Sequence, residues 1–205
     1  KQGGTLTVTD REGKYEITVK ANSATATYDG KGHEAVGVET YEFTVEGNSY
    51  TVSGLSTEDP KQKDAGSYTN NITGTPVVTD KEGNVVTSEF EVKTENGSLE
   101  IGKAAVTLKS ATLSKKYDGN ALVNGDTALE VESGFAEGEG ATYNFTGSQT
   151  VVGSSANAFS YELNSNTNID NYAISKQEGT LTVTNREAKY EITVKANSAT
   201  ATYDG

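Results

Sequence analysis

The sequence predicts an all-β chain folded as tandem β-sandwich domains, and three observations carry that prediction. Apolar and polar residues alternate with a period of two through short segments rich in Val, Ile, Tyr and Thr. Turn residues recur roughly every 8–12 positions, and no helical period of useful length appears. The stretch Lys14 to Gly30, KYEITVKANSATATYDG, returns unchanged as 189–205, and a looser copy, KAAVTLKSATLSKKYDG, occupies 103–119. Self-similarity at a fixed spacing marks a repeat array.

Residues 1–30 and 176–205 differ only at Gly3/Glu178, Asp10/Asn185 and Gly13/Ala188. The Tyr-Asp-Gly landmark, which starts at Tyr28, Tyr117 and Tyr203, splits this long period into two diverged halves. Gly97-Ser98-Leu99-Glu100-Ile101 aligns with Gly179-Thr180-Leu181-Thr182-Val183, Phe90 with Tyr172, and Gly66 approximately with Gly153. The expected organisation is 1–11 as the last strand of a preceding repeat, 12–102 as domain A, 103–188 as domain B, and 189–205 as the first strand of a following A-type repeat. The chain then reads as a window on a longer array.

In the first strand of domain A, Tyr15, Ile17 and Val19 share one face while Lys14, Glu16, Thr18 and Lys20 point away. At Asn22-Ser23 the phase slips by one residue, and Ala24, Ala26 and Tyr28 become the inward set. A one-residue slip exchanges the faces of a strand, which predicts a bulge or a strand that crosses between sheets. Domain B repeats the slip, with Ala104, Val106 and Leu108 on the first face and Ala111, Leu113 and Tyr117 on the second. Lys115 falls on that second face where domain A has Ala26, so the strand end there is expected to be half-buried. Asp29-Gly30 reads as a turn pair. Asn96-Gly97 reads as a type I′ hairpin between 90–92 and 99–101, with Glu178-Gly179 as its weaker counterpart. The linkers at 102–103 and 184–186 are short and lack Gly/Ser runs, which predicts stiff connections.

Composition excludes several classes. The net charge is −12, and an acidic surface repels nucleic-acid phosphates and anionic membranes. Cysteine is absent, so disulfides and thiolate metal sites are excluded. No window approaches a membrane-spanning apolar length, so no membrane insertion is expected in this segment. Hydrophobic residues make up 33%, enough for thin sandwiches with one solvated face per sheet.

Three motifs carry a more specific resemblance: the Tyr-Asp-Gly turn after the first strand, Asp64-Ala65-Gly66-Ser67-Tyr68, and Asn171-Tyr172 followed by Gly179-Thr180-Leu181-Thr182-Val183. Together they resemble the MBG-type, Ig-like tandem repeats of large Gram-positive (Firmicutes) cell-surface, adhesin-like proteins. Domain A departs from the pattern with Glu89-Phe90 in place of Asn-Tyr. Domain B departs with Val152-Gly153-Ser154-Ser155 in place of Asp-Ala-Gly-x-Tyr. The resemblance implies tandem Ig-like β-sandwich domains in a head-to-tail array, extracellular on a bacterial cell surface. The implied function is a structural stalk or spacer that extends a distal domain, with neighbouring repeats of the same chain as its partners. Two alternatives stand beside it. In one, the repeats are an adhesive module for host glycan, mucin or matrix protein. In the other, the chains self-associate into an extracellular filament by strand exchange.

The sequence assigns no catalytic, cofactor-binding or metal-ligating residue, and the chain is read as a non-enzyme. His33 is the single histidine, and neither a cysteine nor a nucleophile-elbow motif accompanies it. The carboxylates are numerous, but nothing gathers two of them into an acid/base pair. Residues 79–84, Thr-Asp-Lys-Glu-Gly-Asn, read as a hairpin turn without the ladder of a calcium loop; a structural Ca²⁺ near a linker is the alternative. Lys14, Lys103 and Lys189, and Lys20, Lys109 and Lys195, recur at equivalent positions. They lie opposite the apolar face, where a solvated ammonium is a poor isopeptide nucleophile. Tyr41, Tyr50, Tyr143 and Tyr161 sit in alternating segments and are read as core or sheet-face residues rather than a sugar-stacking platform.

Overall fold

A computed structural model describes residues 4–7, 13–126 and 128–205. The reading of 1–11 as a closing strand falls largely outside those residues. The fold is all-β, built of several small sheets consistent with a β-sandwich. The strands in chain order begin with β1 (Tyr15–Lys20), β2 (Ala24–Thr27), β3 (His33–Glu34), β4 (Glu42–Val45), β5 (Asn48–Thr57), β6 (Lys61–Gln62) and β7 (Gly66–Asn70). They continue with β8 (Ile72–Asp80), β9 (Phe90–Glu95), β10 (Gly97–Gly102), β11 (Ala104–Lys109), β12 (Leu113–Lys116), β13 (Leu122–Val123) and β14 (Val131–Ser133). The last are β15 (Ala141–Phe145), β16 (Ser148–Gln149), β17 (Gly153–Ala156), β18 (Phe159–Leu163), β19 (Tyr172–Gln177) and β20 (Thr180–Thr184). Single 3₁₀ turns at Thr87–Glu89 and Ile169–Asn171 lead into β9 and β19.

The chain forms two compact units. The first comprises Lys1–Thr107, Ser133–Thr142 and Leu163–Ser175; the second comprises Leu108–Glu132, Tyr143–Glu162 and Lys176–Gly205.

In the first unit the predicted phase slip is a crossing between sheets. β1 runs parallel to β9, from Tyr15 beside Phe90 to Lys20 beside Glu95. After the slip, β2 runs parallel to β10, with Ala24 beside Leu99 and Ala26 beside Ile101. β10 is also antiparallel to β7, giving the order β2-β10-β7. β9 and β10 therefore do not form the hairpin expected from Asn96-Gly97. They belong to different sheets, and the chain crosses between them at Asn96, alongside the crossing at Ala21–Ser23. Gly97 adopts no positive φ. Its glycine is needed because a Cβ there would lie 2.1 Å from the Asn22 carbonyl oxygen. Close approach of two crossing strands, not turn geometry, selects this residue.

The core follows from the alternation. Ile17, Val19, Val52, Val78 and Phe90 are buried together, with Tyr15, Phe43, Tyr50, Leu55 and Val92 packed around them. Full burial of one such valine is worth about 1.5–3 kcal/mol. Tyr50 meets Phe90 edge-on with ring centroids 4.8 Å apart. β4, β5 and β8 form an antiparallel sheet over this core.

The second unit contains the same three-strand arrangement. β12 is parallel to β20 with Leu113 beside Leu181, and β17 is antiparallel to β20 with Ser155 beside Leu181, giving the order β12-β20-β17. Gly179 lies under the Ala111 carbonyl oxygen, which a Cβ would approach to 2.2 Å. Leu108, Leu181, Val183 and Phe159 are buried. A polar knot holds the crossing. The Ser110 hydroxyl donates to the Asn157 carbonyl at 2.6 Å and accepts from the Gly179 N–H at 2.9 Å. The Asn157 side-chain amide donates to the Ala111 carbonyl at 2.9 Å. Asn70 does the corresponding work in the first unit, donating to the Asn22 carbonyl at 3.1 Å and accepting from the Asp59 N–H at 3.0 Å.

Residues 189–205 carry no strand and are exposed throughout. Among the described residues no helix is long and apolar enough to cross a membrane.

Candidate functional site

Residues from each of the three motifs, Tyr28, Asp64 with Ala65, and Asn171 with Tyr172, meet at one place in the first unit. Tyr28 follows β2 at the Tyr-Asp-Gly turn. Asp64 and Ala65 precede β7. Asn171 and Tyr172 close a 3₁₀ turn and open β19. The Gly30 φ of 80° turns the chain there, and a Cβ on Gly30 would sit 3.1 Å from Ala136 Cβ.

At the centre is Glu139, whose side chain is nearly buried. Tyr28 donates its hydroxyl proton to Glu139 Oε1 at 2.5 Å, and Tyr172 donates to Oε2 at 2.8 Å. The Tyr172 oxygen also accepts from the Ala136 N–H at 3.0 Å. The two tyrosine rings pack edge-to-face with centroids 5.3 Å apart, and Phe135 meets Tyr172 in the same manner at 5.1 Å. Lys63 Nζ stands 3.9 Å from Glu139 Oε1. Beside this cluster the buried Asn171 accepts from the Ala65 N–H at 2.8 Å and donates to Asp64 Oδ1 at 2.9 Å.

A buried carboxylate is costly unless its oxygens are hydrogen-bonded and its charge is balanced. Two phenol donors and a nearby ammonium meet that requirement here. Burial pushes the Tyr28 hydroxyl well above its ordinary pKa, and the bond to Glu139 pushes it further. Burial is also the main cause raising Tyr172, with Glu139 adding to it and the Ala136 N–H opposing it. Both phenols therefore stay protonated through the physiological range and act as donors. The chemistry available is cohesion: a charge-assisted bridge joining the Tyr28 turn, the 134–140 loop and the start of β19.

The other sequence-level candidates are scattered. His33 lies in β3, with Nε2 3.0 Å from Asp29 Oδ1. The Asp29 carboxyl is held below its usual range, chiefly by the Lys31 N–H and then by His33. Asp80 accepts from the N–H groups of Glu82 and Asn84 and from the Asn84 amide, closing the turn read at 79–84. Among the described residues no group of three or more metal-type side chains converges. Lys20 pairs with Glu95 at 2.8 Å and Lys109 with Glu130 at 3.0 Å, both partly exposed. Lys115 is half-buried, as read from its face, and pairs with Asp118 at 2.8 Å. Tyr50 and Tyr143 pack on Phe90 and Phe159, and Tyr41 and Tyr161 are half-buried.

The sequence marks Tyr28, Asp64, Ala65, Asn171 and Tyr172 only as turn and core residues of the resemblance, and it does not single out Glu139, Phe135 or Lys63. The alternating Glu137-Gly138-Glu139-Gly140 was the available signal, since glycines on both sides of an acid announce a tight loop that aims it. No family model, no curated protein and no solved structure matches this chain.

Proposed function

We propose that the chain is a structural stalk or spacer of a bacterial extracellular surface protein, built of tandem Ig-like sandwiches at 12–102 and 103–188, with 189–205 opening a further A-type repeat. The observation that carries this reading is the Glu139 cluster. It is assembled from the repeat-defining motifs of residues 28–30 and 64–65 on one side and 171–172 on the other. Residues of the motifs that mark the resemblance thereby form a buried, hydrogen-bonded tie within the first unit, the kind of cohesion a spacer under tension needs. Tyr117, the counterpart of Tyr28, is half-buried beside a groove lined by Val152, Asn185 and Arg186, which offers a seat for a following repeat. The acidic surface supports solubility and self-repulsion along an extended array.

The test is mechanical. The chain is held by its two ends and stretched in a single-molecule force experiment. A spacer resists with discrete unfolding steps, and E139Q lowers the force of the step that includes the cluster. Extension without a resisting step overturns the reading. The same chain is also applied to a glycan and matrix-protein array, where reproducible ligand-specific binding replaces the spacer with the adhesive module.

A further inference from the structure

Among the described residues, two that are not glycine have a left-handed backbone: Glu46 at φ 48° and Asp59 at φ 52°. Glu46 shares with Gly47 the two-residue turn between β4 and β5, where a positive φ is the ordinary geometry. Asp59 has no such reason. It lies between β5 and β6 and is followed by Pro60. In the left-handed conformation Cβ crowds the carbonyl oxygen that follows it, and a proline ring further restricts the residue before it.

Three hydrogen bonds keep Asp59 from relaxing. Its N–H donates to Oδ1 of the fully buried Asn70 at 3.0 Å. Its own Oδ1 accepts from the Gly37 N–H at 2.8 Å and from the Thr57 hydroxyl at 2.5 Å. Backbone strain persists only where the surroundings over-determine it in this way. The second unit makes the matching connection without it. There the Thr146 and Gly147 N–H groups donate to the carbonyl of Ala158, which follows Asn157, as the Glu58 N–H donates to the carbonyl of Asn71, which follows Asn70. Neither Thr146 nor Gly147 has a positive φ. The left-handed aspartate is therefore not a demand of the fold.

We propose that Asp59–Pro60 is a self-cleaving peptide bond. Oδ2 of the Asp59 carboxylate attacks the Asp59 carbonyl carbon and closes a five-membered cyclic anhydride. The C–N bond to Pro60 breaks, and the Pro60 nitrogen keeps the electron pair, takes a proton from hydronium and leaves as a secondary amine. Water then opens the anhydride, so the net change is one water added across the bond. Attack makes the carbonyl carbon tetrahedral and moves its oxygen away from Cβ, so the strain is released on the way to the transition state. Asp59 is exposed, which admits the water. Its carboxyl is held below its ordinary range, first by the Gly37 N–H and then by the Thr57 hydroxyl. It therefore stays in the attacking, ionised form in acid that protonates an ordinary aspartate. The pieces 1–59 and 60–205 remain paired through β1 with β9, β2 with β10 and β5 with β8, so the cut is silent until the chain is denatured. This goes beyond the spacer reading and does not rest on it.

The experiment holds the full chain at about pH 4, near the ordinary carboxylate range, with circular dichroism to follow the fold and mass spectrometry under denaturing conditions to read the products. Fragments 1–59 and 60–205 are expected. They should form about tenfold faster than from the same chain unfolded in urea at the same pH, because release of left-handed strain is worth about one decade in rate. D59N keeps an oxygen that accepts the same two bonds but loses the carboxylate, and it is expected to stay intact. P60A keeps Asp59 and removes the leaving group, and it is expected to stay intact as well. A folded parent chain that is not cut overturns the proposal. So does cutting that is equally fast in urea, which is the acid lability of any Asp–Pro bond, and so does cutting of D59N or P60A at the parent rate.

Discussion

The sheet β2-β10-β7 of the first unit and the sheet β12-β20-β17 of the second are two versions of one device. Strand order and direction agree, and Leu99 and Leu181 occupy the same central, fully buried place. Each crossing is locked by a glycine under a backbone carbonyl and by a buried asparagine, Gly97 with Asn70 and Gly179 with Asn157. The ends differ. Tyr28 is buried against Glu139, whereas Tyr117 is half-buried at a groove, and Ala26 is replaced by Lys115 with its ion pair to Asp118. What closes the core is held constant between the versions, and what meets the surroundings varies.

If that division is right, truncating the shared centre should hurt both versions alike and most. Leu99→Ala and Leu181→Ala each remove a fully buried leucine from between two ladder partners, which costs about 2–5 kcal/mol depending on how far the cavity collapses. Urea unfolding followed by circular dichroism checks this, and a cost for one leucine without the other breaks the equivalence. Tyr28→Phe comes next and should affect only the first version. It deletes a hydroxyl bonded to a buried carboxylate, a loss of about 1.5–3 kcal/mol. Tyr117→Phe should leave the unfolding midpoint unchanged. Equal effects at the two tyrosines would show that the Glu139 bridge contributes nothing special.

Alkaline pH probes the same asymmetry. Tyr28 and Tyr172 have folded pKa values raised above the unfolded value, by burial first. Their contribution is therefore fully present below the unfolded tyrosine pKa of about 10. It is lost as pH rises from there through the raised folded values. Absorbance titration should show these two phenolates forming late and together with loss of the first unit's structure. In Y28F/Y172F the alkaline transition should flatten.

Much of this was legible in the chain. The one-residue slip at Asn22-Ser23 required either a bulge or a strand that crosses between sheets, because a slip exchanges the faces of a strand, and the pairing of β1 with β9 and β2 with β10 is the crossing. The recurrence of Gly-Ser-Leu-Glu-Ile as Gly-Thr-Leu-Thr-Val marked the two central strands. The reading of Asn96-Gly97 as a hairpin failed because a local turn signal cannot tell a strand that folds back from one that passes into another sheet. Only the carbonyl of Asn22, 75 residues before Gly97, explains that glycine. Glu139 was hidden for a related reason. Its partners are 111 and 33 residues away, and the Glu137-Gly138-Glu139-Gly140 run announces a tight loop without saying which residues it meets.

The smallest expected effect lies at Lys115, the one residue that interrupts the apolar face shared by the two versions. Its stem lies against the sheet while its ammonium reaches Asp118, the usual compromise of a long charged side chain at a half-buried place. The Asp118 carboxyl is held below its ordinary range, first by Lys115 and then by the Asn120 N–H. A lowered folded pKa contributes stability above the unfolded carboxylate range, and that contribution is lost as pH falls through the folded value. K115A should move the Asp118 titration back upward, read by NMR of its side-chain carboxyl. It should also shift acid unfolding slightly to higher pH, while leaving neutral stability changed far less than by the leucine truncations. The reverse exchange, A26K, should not reproduce the pair, because Asp29 already accepts from the Lys31 N–H and contacts His33. A lysine at 26 that lowered the Asp29 pKa further would mean that the two sheet ends are interchangeable after all.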